Sequence, residues 1–301
     1  MSRFRLFLLI LSLLCCVPMC SHGPADLPEG ARSQVALNGD RETLNCADYK
    51  RLIVGQMVLD GKVCQLLIDT GASHTILRRD VVDKLWPDKP VRALGKTDSN
   101  LNQSLYCMPV RSLASNSFEA RNFYALVADL PQLGSLKGEP VAGLLGMDIM
   151  GGCPMMVDVA HGKVTFFSSM PSSSELAAMG AIPVPIKVDG NYIRARLSID
   201  GEPMMFIIDS GATQSCMDIK DWKGVVQRSD SPMQWIDVNG INDKKGFNYG
   251  VMKIFNWGGL SLAPQPILFG SYEKIMGGDV LRQGKILIHR RASKAWWIPH
   301  V

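Results

Sequence analysis

Asp69-Thr70-Gly71-Ala72-Ser73 and Asp209-Ser210-Gly211-Ala212-Thr213 are the two segments of this chain best equipped for chemistry. Each sets a carboxyl beside a hydroxyl and a glycine, and the second copy follows the first by 140 residues. Two carboxylates held close together cannot both ionise easily, so one pKa rises and the pair shares a proton. Such a pair can hold a water between its members. The ionised acid takes the water's proton as it attacks a peptide carbonyl, and the protonated acid donates to the carbonyl oxygen. That chemistry requires neither a metal nor a covalent intermediate. Thr70 and Ser210 bring hydroxyls able to hydrogen-bond across a shared axis and lock the two turns. Gly71 and Gly211 permit a tight turn and a close approach of backbone to ligand.

The elements that must position these acids form a repeat. Leu59 to Ser73 aligns with Ile199 to Thr213 without a gap. Each copy has an Asp-Gly turn signal between apolar runs, which predicts a β-hairpin. The second strand of each hairpin (Leu66-Leu67-Ile68, Phe206-Ile207-Ile208) is continuously apolar and predicts burial on both faces. A second matched pair follows: Gly143 to Met150 corresponds to Lys274 to Leu281. Both members place two apolar residues before a glycine, then an acid (Asp148, Asp279) read as the cap of a short helix. Strand pairs follow each, and the Trp296-Trp297 run is expected in a core or interlobe sheet. Segment 95–104 and the Asn239-Gly240 tip predict projecting hairpins at equivalent places in the two halves. With no sustained helical periodicity, the fold class is all-β.

The paired Asp-(Thr/Ser)-Gly-Ala motifs, each with its own apolar-apolar-Gly motif (Leu144-Leu145-Gly146, Ile275-Met276-Gly277), resemble the aspartic peptidases of the pepsin and retropepsin clan. The resemblance covers about residues 50–170 and 180–301. It implies a bilobed acid-protease fold, with two pseudo-twofold related, β-barrel-like lobes and an active-site cleft between them. It also implies that Asp69 and Asp209 are the catalytic pair and that Thr70 and Ser210 are the interlocking hydroxyls. Gly146 and Gly277 then pack beneath the catalytic loops. Each half is short, as in a retropepsin subunit, so the chain looks like a retropepsin dimer fused into one polypeptide. Pepsin-like enzymes carry a hydroxyl residue where this chain has Ala72 and Ala212. Without that donor to the charged form the dyad's pKa values should rise, so the expected optimum is mildly acidic. The alternative is that only a small side chain fits there.

The 301 residues have a net charge of +4, with 47% apolar and 20% charged residues. This describes a globular chain with no electrostatic footprint for nucleic acid. Arg3 and Arg5 precede a short apolar stretch, Leu6 to Val17, which reads as a secretory signal cleaved near Ala25; left uncleaved it would be a membrane anchor. The predicted organisation is a signal peptide at 1–25, an N-terminal segment at 26–46 that is polar and loosely ordered, a first lobe at 47–170, a linker at 171–180 and a second lobe at 181–301. Localisation is read as exported, periplasmic or secreted. The protein is read as a monomer, a pseudo-dimer in one chain. Past the signal remain Cys46, Cys64, Cys107, Cys153 and Cys216, an odd number, best read as buried small residues. Scattered histidines, the lack of Cys-x-x-Cys and the lack of His-Glu-x-x-His predict no metal and no cofactor. The expected partner is a protein or peptide substrate in extended form, cleaved by an aspartic endopeptidase. A peptide-binding module using the same cleft without cutting is the competing reading.

Overall fold

The computed structural model describes residues 33–96, 104–199, 201–218, 220, 234–239, 244–252, 255–263, 265–271 and 273–300. The signal segment and its cysteines, the proposed cleavage point and the tips of both projecting hairpins lie outside these residues.

The two motif hairpins form as the Asp-Gly signals predict. Leu52–Leu59 pairs antiparallel with Lys62–Ile68, closing at Leu59 opposite Lys62. Asp60 and Gly61 sit at φ of 43° and 79°, the left-handed values that a two-residue primed turn demands. The Asp60 carboxylate then accepts the N–H groups of Arg111 and Ser112, both at 2.9 Å, and pairs with Lys89. The second hairpin joins Tyr192–Ile199 to Glu202–Ile208, with Ile199 opposite Glu202 and Gly201 at φ 89°.

Among the described residues each lobe is built on a ten-stranded sheet, and the two share their central connectivity. Lys62–Ile68 runs parallel to Glu139–Leu145, which pairs antiparallel with Ile76–Arg78. Glu202–Ile208 likewise runs parallel to Ile275–Met276, which pairs antiparallel with Cys216 of the strand Cys216–Asp218. Central strands with a parallel neighbour are covered on both faces, which accounts for their unbroken apolar character. Leu66, Leu67, Ile68, Phe206, Ile207 and Ile208 are all buried. The stems of the projecting hairpins are antiparallel ladders: Arg92–Lys96 with Ser104–Ser115, and Gln234–Asn239 with Lys244–Met252.

A six-stranded sheet joins the lobes. Arg41–Asn45, Lys163–Phe167 and Met155–Asp158 come from the first half; Gly284–His289, Lys294–Pro299 and Ile182–Val184 come from the second. The seam is antiparallel, with Met155 opposite Ile288 and Val157 opposite Ile286. Phe166 stacks on Phe118 of the first lobe at 4.3 Å, and Trp297 packs on Trp257 of the second at 5.7 Å. One aromatic pair thus anchors each lobe to the common sheet, and Trp296 lies in the small cluster on the other face.

Two stretches differ from the sequence expectation. The 26–46 segment is not loose where it is described: Gln34–Leu37 and Arg41–Asn45 are strands. Alternation in Arg41–Asn45 turns Glu42 and Leu44 inward, and Glu42 is satisfied there by Ser115, Ser117 and Phe118 donors. Within 171–180, residues Ser173–Ala178 form a helix opened by a Ser172–Glu175 capping box. Cys46, Cys64, Cys107 and Cys153 form no disulfide among the described residues, and burial pushes the Cys46 thiol up to about 12.

Candidate active site

Both motif acids emerge at the ends of the buried central strands. The Asp69 N–H donates to the Leu145 carbonyl at 3.1 Å, and the Asp209 N–H donates to the Met276 carbonyl at 3.0 Å. The chain then turns back on each carboxyl. Asp69 Oδ1 accepts the N–H groups of Gly71 and Ala72, both at 2.9 Å, and Asp209 Oδ1 accepts the N–H of Gly211 at 2.8 Å. The side chains are sealed from solvent, at 0% and 1% exposure.

The two turns face each other. A β-carbon on Gly71 would lie 2.3 Å from Asp209 Cγ, and one on Gly211 would lie 2.4 Å from Asp69 Cγ. No side chain fits at either glycine while the opposite acid holds its place, so each glycine is fixed by the partner carboxyl. Asp209 is held well above the ordinary carboxylate range, first by burial, then by the adjacent Asp69 charge and hydrogen bond; amide donors from Gly211 and Ala212 oppose the shift.

Thr70 and Ser210 lock the turns together. The Thr70 hydroxyl donates to the Ile208 carbonyl at 2.8 Å and accepts the Ser210 N–H at 3.0 Å. The Ser210 hydroxyl donates to the Ile68 carbonyl at 2.8 Å and accepts the Thr70 N–H at 3.1 Å. Four buried hydrogen bonds cross the pseudo-twofold axis in two reciprocal pairs. Ala72 and Ala212 are fully buried beside them.

Gly146 and Gly277 sit under these loops. A β-carbon on Gly146 would meet the His74 carbonyl carbon at 2.4 Å, and one on Gly277 would meet that of Gln214 at 2.6 Å. The acids that follow do not serve as side-chain caps: Gly146 and Gly277 occupy the N-cap positions of Met147–Met150 and Gly278–Leu281. Asp148 Oδ1 instead accepts the N–H and hydroxyl of Thr75, both at 2.9 Å, and Asp279 Oδ1 accepts those of Ser215 at 2.9 and 2.7 Å. Each hydroxyl in turn accepts the N–H of the motif glycine, at 3.2 Å for Thr75 and 3.0 Å for Ser215. Thr75 and Ser215 escaped the sequence reading, although each stands six residues after its motif acid. Carrying the repeat alignment two residues further would have paired them.

Interlobe contacts add a second tier. Asn191, in the turn before Tyr192–Ile199, donates to the Ser73 carbonyl at 2.8 Å and accepts from Arg290. Arg290 also reaches the Gly151 carbonyl at 3.2 Å. On the opposite side Arg282 donates to the Arg51 carbonyl at 2.6 Å and to Asp48 at 3.3 Å. Tyr106 stands on the first hairpin stem opposite Ala93, with the Arg79 guanidinium 4.6 Å above its ring. His74 is occupied by Ser73 Oγ at 2.9 Å.

Two measurements probe this architecture. Thr70→Val keeps the shape but leaves the Ser210 N–H and the Ile208 carbonyl without their buried partner. The expected cost is about 2–6 kcal/mol, from two orphaned groups at about 1–3 kcal/mol each, read by urea unfolding. Asp279, with Oδ2 enclosed, is pushed up to about 6 by burial. Its folded pKa exceeds the unfolded one, so its contribution is complete below about pH 4 and is lost as pH rises through 6. Asp279→Asn should flatten this part of the stability–pH curve by about 1–3 kcal/mol between acid and neutral solution. An unchanged curve would show that the carboxyl is not protonated on the acid side.

Comparison with known proteins agrees with the geometry. Residues 55–149 match the model of an aspartyl protease family. No curated protein matches the chain in sequence. Among solved structures, conglutin gamma, a basic 7S globulin from lupine seeds, is similar over 87% of this chain and 96% of its own, at 8% identity and TM-score 0.50. The basic 7S globulin from soybean is similar over 87% and 95%, at 10% identity and TM-score 0.51. Residues 55–149 are thus similar to an aspartyl protease family, and the chain that carries them shares the two-lobed, mostly β fold of these globulins.

Proposed function

We propose that this chain is an aspartic endopeptidase whose catalytic groups are Asp69 and Asp209. The observation that carries the reading is the packing of each motif glycine against the opposite carboxyl. It brings into one buried site two acids from different halves. The family match includes only the first of them, and the internal repeat supplies the second.

The pair works with one proton between its members. The ionised carboxylate removes a proton from a water as the water's oxygen bonds to the scissile carbonyl carbon, and the protonated carboxyl gives its proton to the carbonyl oxygen. The tetrahedral species then collapses: its hydroxyl proton returns to the pair, the C–N bond breaks and the leaving nitrogen takes up a proton. The fixed N–H donors on Asp69 Oδ1 and Asp209 Oδ1 hold the acids in place while protons move. The substrate is a protein or peptide in extended form, pairing strand-like in the cleft under the two hairpins. A single chain supplies both acids, so the working unit is a monomer. Arg3, Arg5 and the apolar run after them support export to a periplasmic or extracellular space.

A diverse peptide pool incubated between about pH 3 and 8 tests the proposal, with Asp69→Asn and Asp209→Asn in parallel. Each variant should lose about 10³-fold or more in cleavage rate while keeping its circular dichroism. With Ala72 and Ala212 offering no hydroxyl to the dyad, the rate should peak in mildly acidic solution; a peak at about pH 2 would contradict that argument. Cleavage that survives either substitution overturns the assignment of the pair. Peptide binding without cleavage by the unaltered chain would make it a binding module.

A further inference from the structure

Asp158, His161 and His300 come together at one end of the interlobe sheet, although Asp158 and His300 are 142 residues apart in sequence. Asp158 ends the strand Met155–Asp158 from the first half. His161 lies in the turn that follows, and His300 directly follows Lys294–Pro299, the last strand of the second half. Their ligand atoms all lie within 4.8 Å of one another.

Both imidazoles of this cluster are directed at the one carboxylate. Asp158 Oδ1 receives the His161 backbone N–H at 3.1 Å and lies 3.1 Å from His300 Nε2, while His161 Nδ1 is 3.0 Å from both Asp158 oxygens. A carboxylate oxygen has two lone pairs. Two imidazole nitrogens thus converge on one carboxylate already oriented by the backbone, with the rings edge to face at 4.7 Å. The Asp158 side chain is 6% exposed, that of His300 21% and that of His161 59%, so the cluster opens to solvent on the histidine side.

We propose that Asp158, His161 and His300 form a divalent transition-metal site, suited first to Zn²⁺, that ties the C-terminal strand of the second lobe to the first lobe. Two imidazoles and one carboxylate are a ligand set that zinc accepts, with a fourth position left to water. A tetrahedral zinc centre separates its N and O donors by about 3.3 Å, close to the 3.0 and 3.1 Å between the imidazole nitrogens and the carboxylate. The backbone N–H of His161 already orients the carboxylate, as a supporting donor should. The ion replaces a crowded three-donor contact with a single central charge. Magnesium and calcium, which prefer all-oxygen ligands, fit the set poorly.

Isothermal titration of Zn²⁺ into the untagged, metal-free chain tests this. One ion per chain with low-micromolar or tighter affinity is expected, together with a higher thermal midpoint. His161→Ala and His300→Ala should each weaken binding at least tenfold and abolish the thermal gain. Co²⁺ in place of zinc should give visible d–d bands that are lost in His161→Ala. His161 is exposed in a turn, so its variant should retain the unaltered circular dichroism, and basal peptide cleavage should be unchanged. Millimolar binding, or equal affinity in both histidine variants, overturns the site.

Discussion

Everything in the cleft depends on two buried carboxyls being forced against each other's turns. Water would ordinarily keep such groups apart, since burying one charged carboxylate costs several kcal/mol and a second beside it costs more. Burial first, and the adjacent Asp69 charge second, hold Asp209 well above the ordinary carboxylate range, which favours a proton on it and lowers that cost. What resists separation is the absence of side chains at Gly71 and Gly211 and the four hydrogen bonds of Thr70 and Ser210. Two of those bonds run from a turn to the strand end of the opposite lobe and two join the turns directly. Pulling the lobes apart therefore orphans backbone groups on both sides at once.

The tiers beneath repeat the same logic at increasing distance from the acids. Thr75 and Ser215 fasten each motif loop to its glycine, and Asp148 and Asp279 fasten those hydroxyls. These deeper acids are themselves raised by burial. Together with Asp209 they make the centre of the molecule cheapest to fold when protons are plentiful. The facing acids are thus embedded in a framework whose stability also favours acid solution.

The sequence made the repeat, the all-β class, the hairpin turns and the two acids legible because each is written in local residue types. Asp60-Gly61 demands positive φ values, and Leu66-Leu67-Ile68 demands two covered faces. It concealed whatever depends on contacts between distant segments. Arg41–Asn45 looked polar because the partners of Glu42 lie more than seventy residues away. Asp148 and Asp279 looked like helix caps because an acid after a glycine reads that way until Thr75 and Ser215 arrive from another strand. Arg282 and Arg290 carry no motif at all; their roles appear only when turns from the other half are set against them.

Fusion of two lobes in one chain changes what the symmetry must do. A site shared between separate subunits exists only at concentrations that hold them together, and each half must bind its own copy. Here the link between the halves includes the helix Ser173–Ala178, whose capping box fixes it locally, and closing such a connection costs little more as it lengthens. The halves are then free to diverge wherever identity is not required. They have kept glycine at 71 and 211, where any β-carbon would strike an acid, and hydroxyls at 70 and 210, where either threonine or serine can bridge. They have diverged in the outer clasps, where Asn191 and Arg290 on one side answer to Asp48, Arg51 and Arg282 on the other. At the axis itself the two halves match because each presses on the other's acid and hydroxyl, while the clasps further out meet the opposite half through unlike residues.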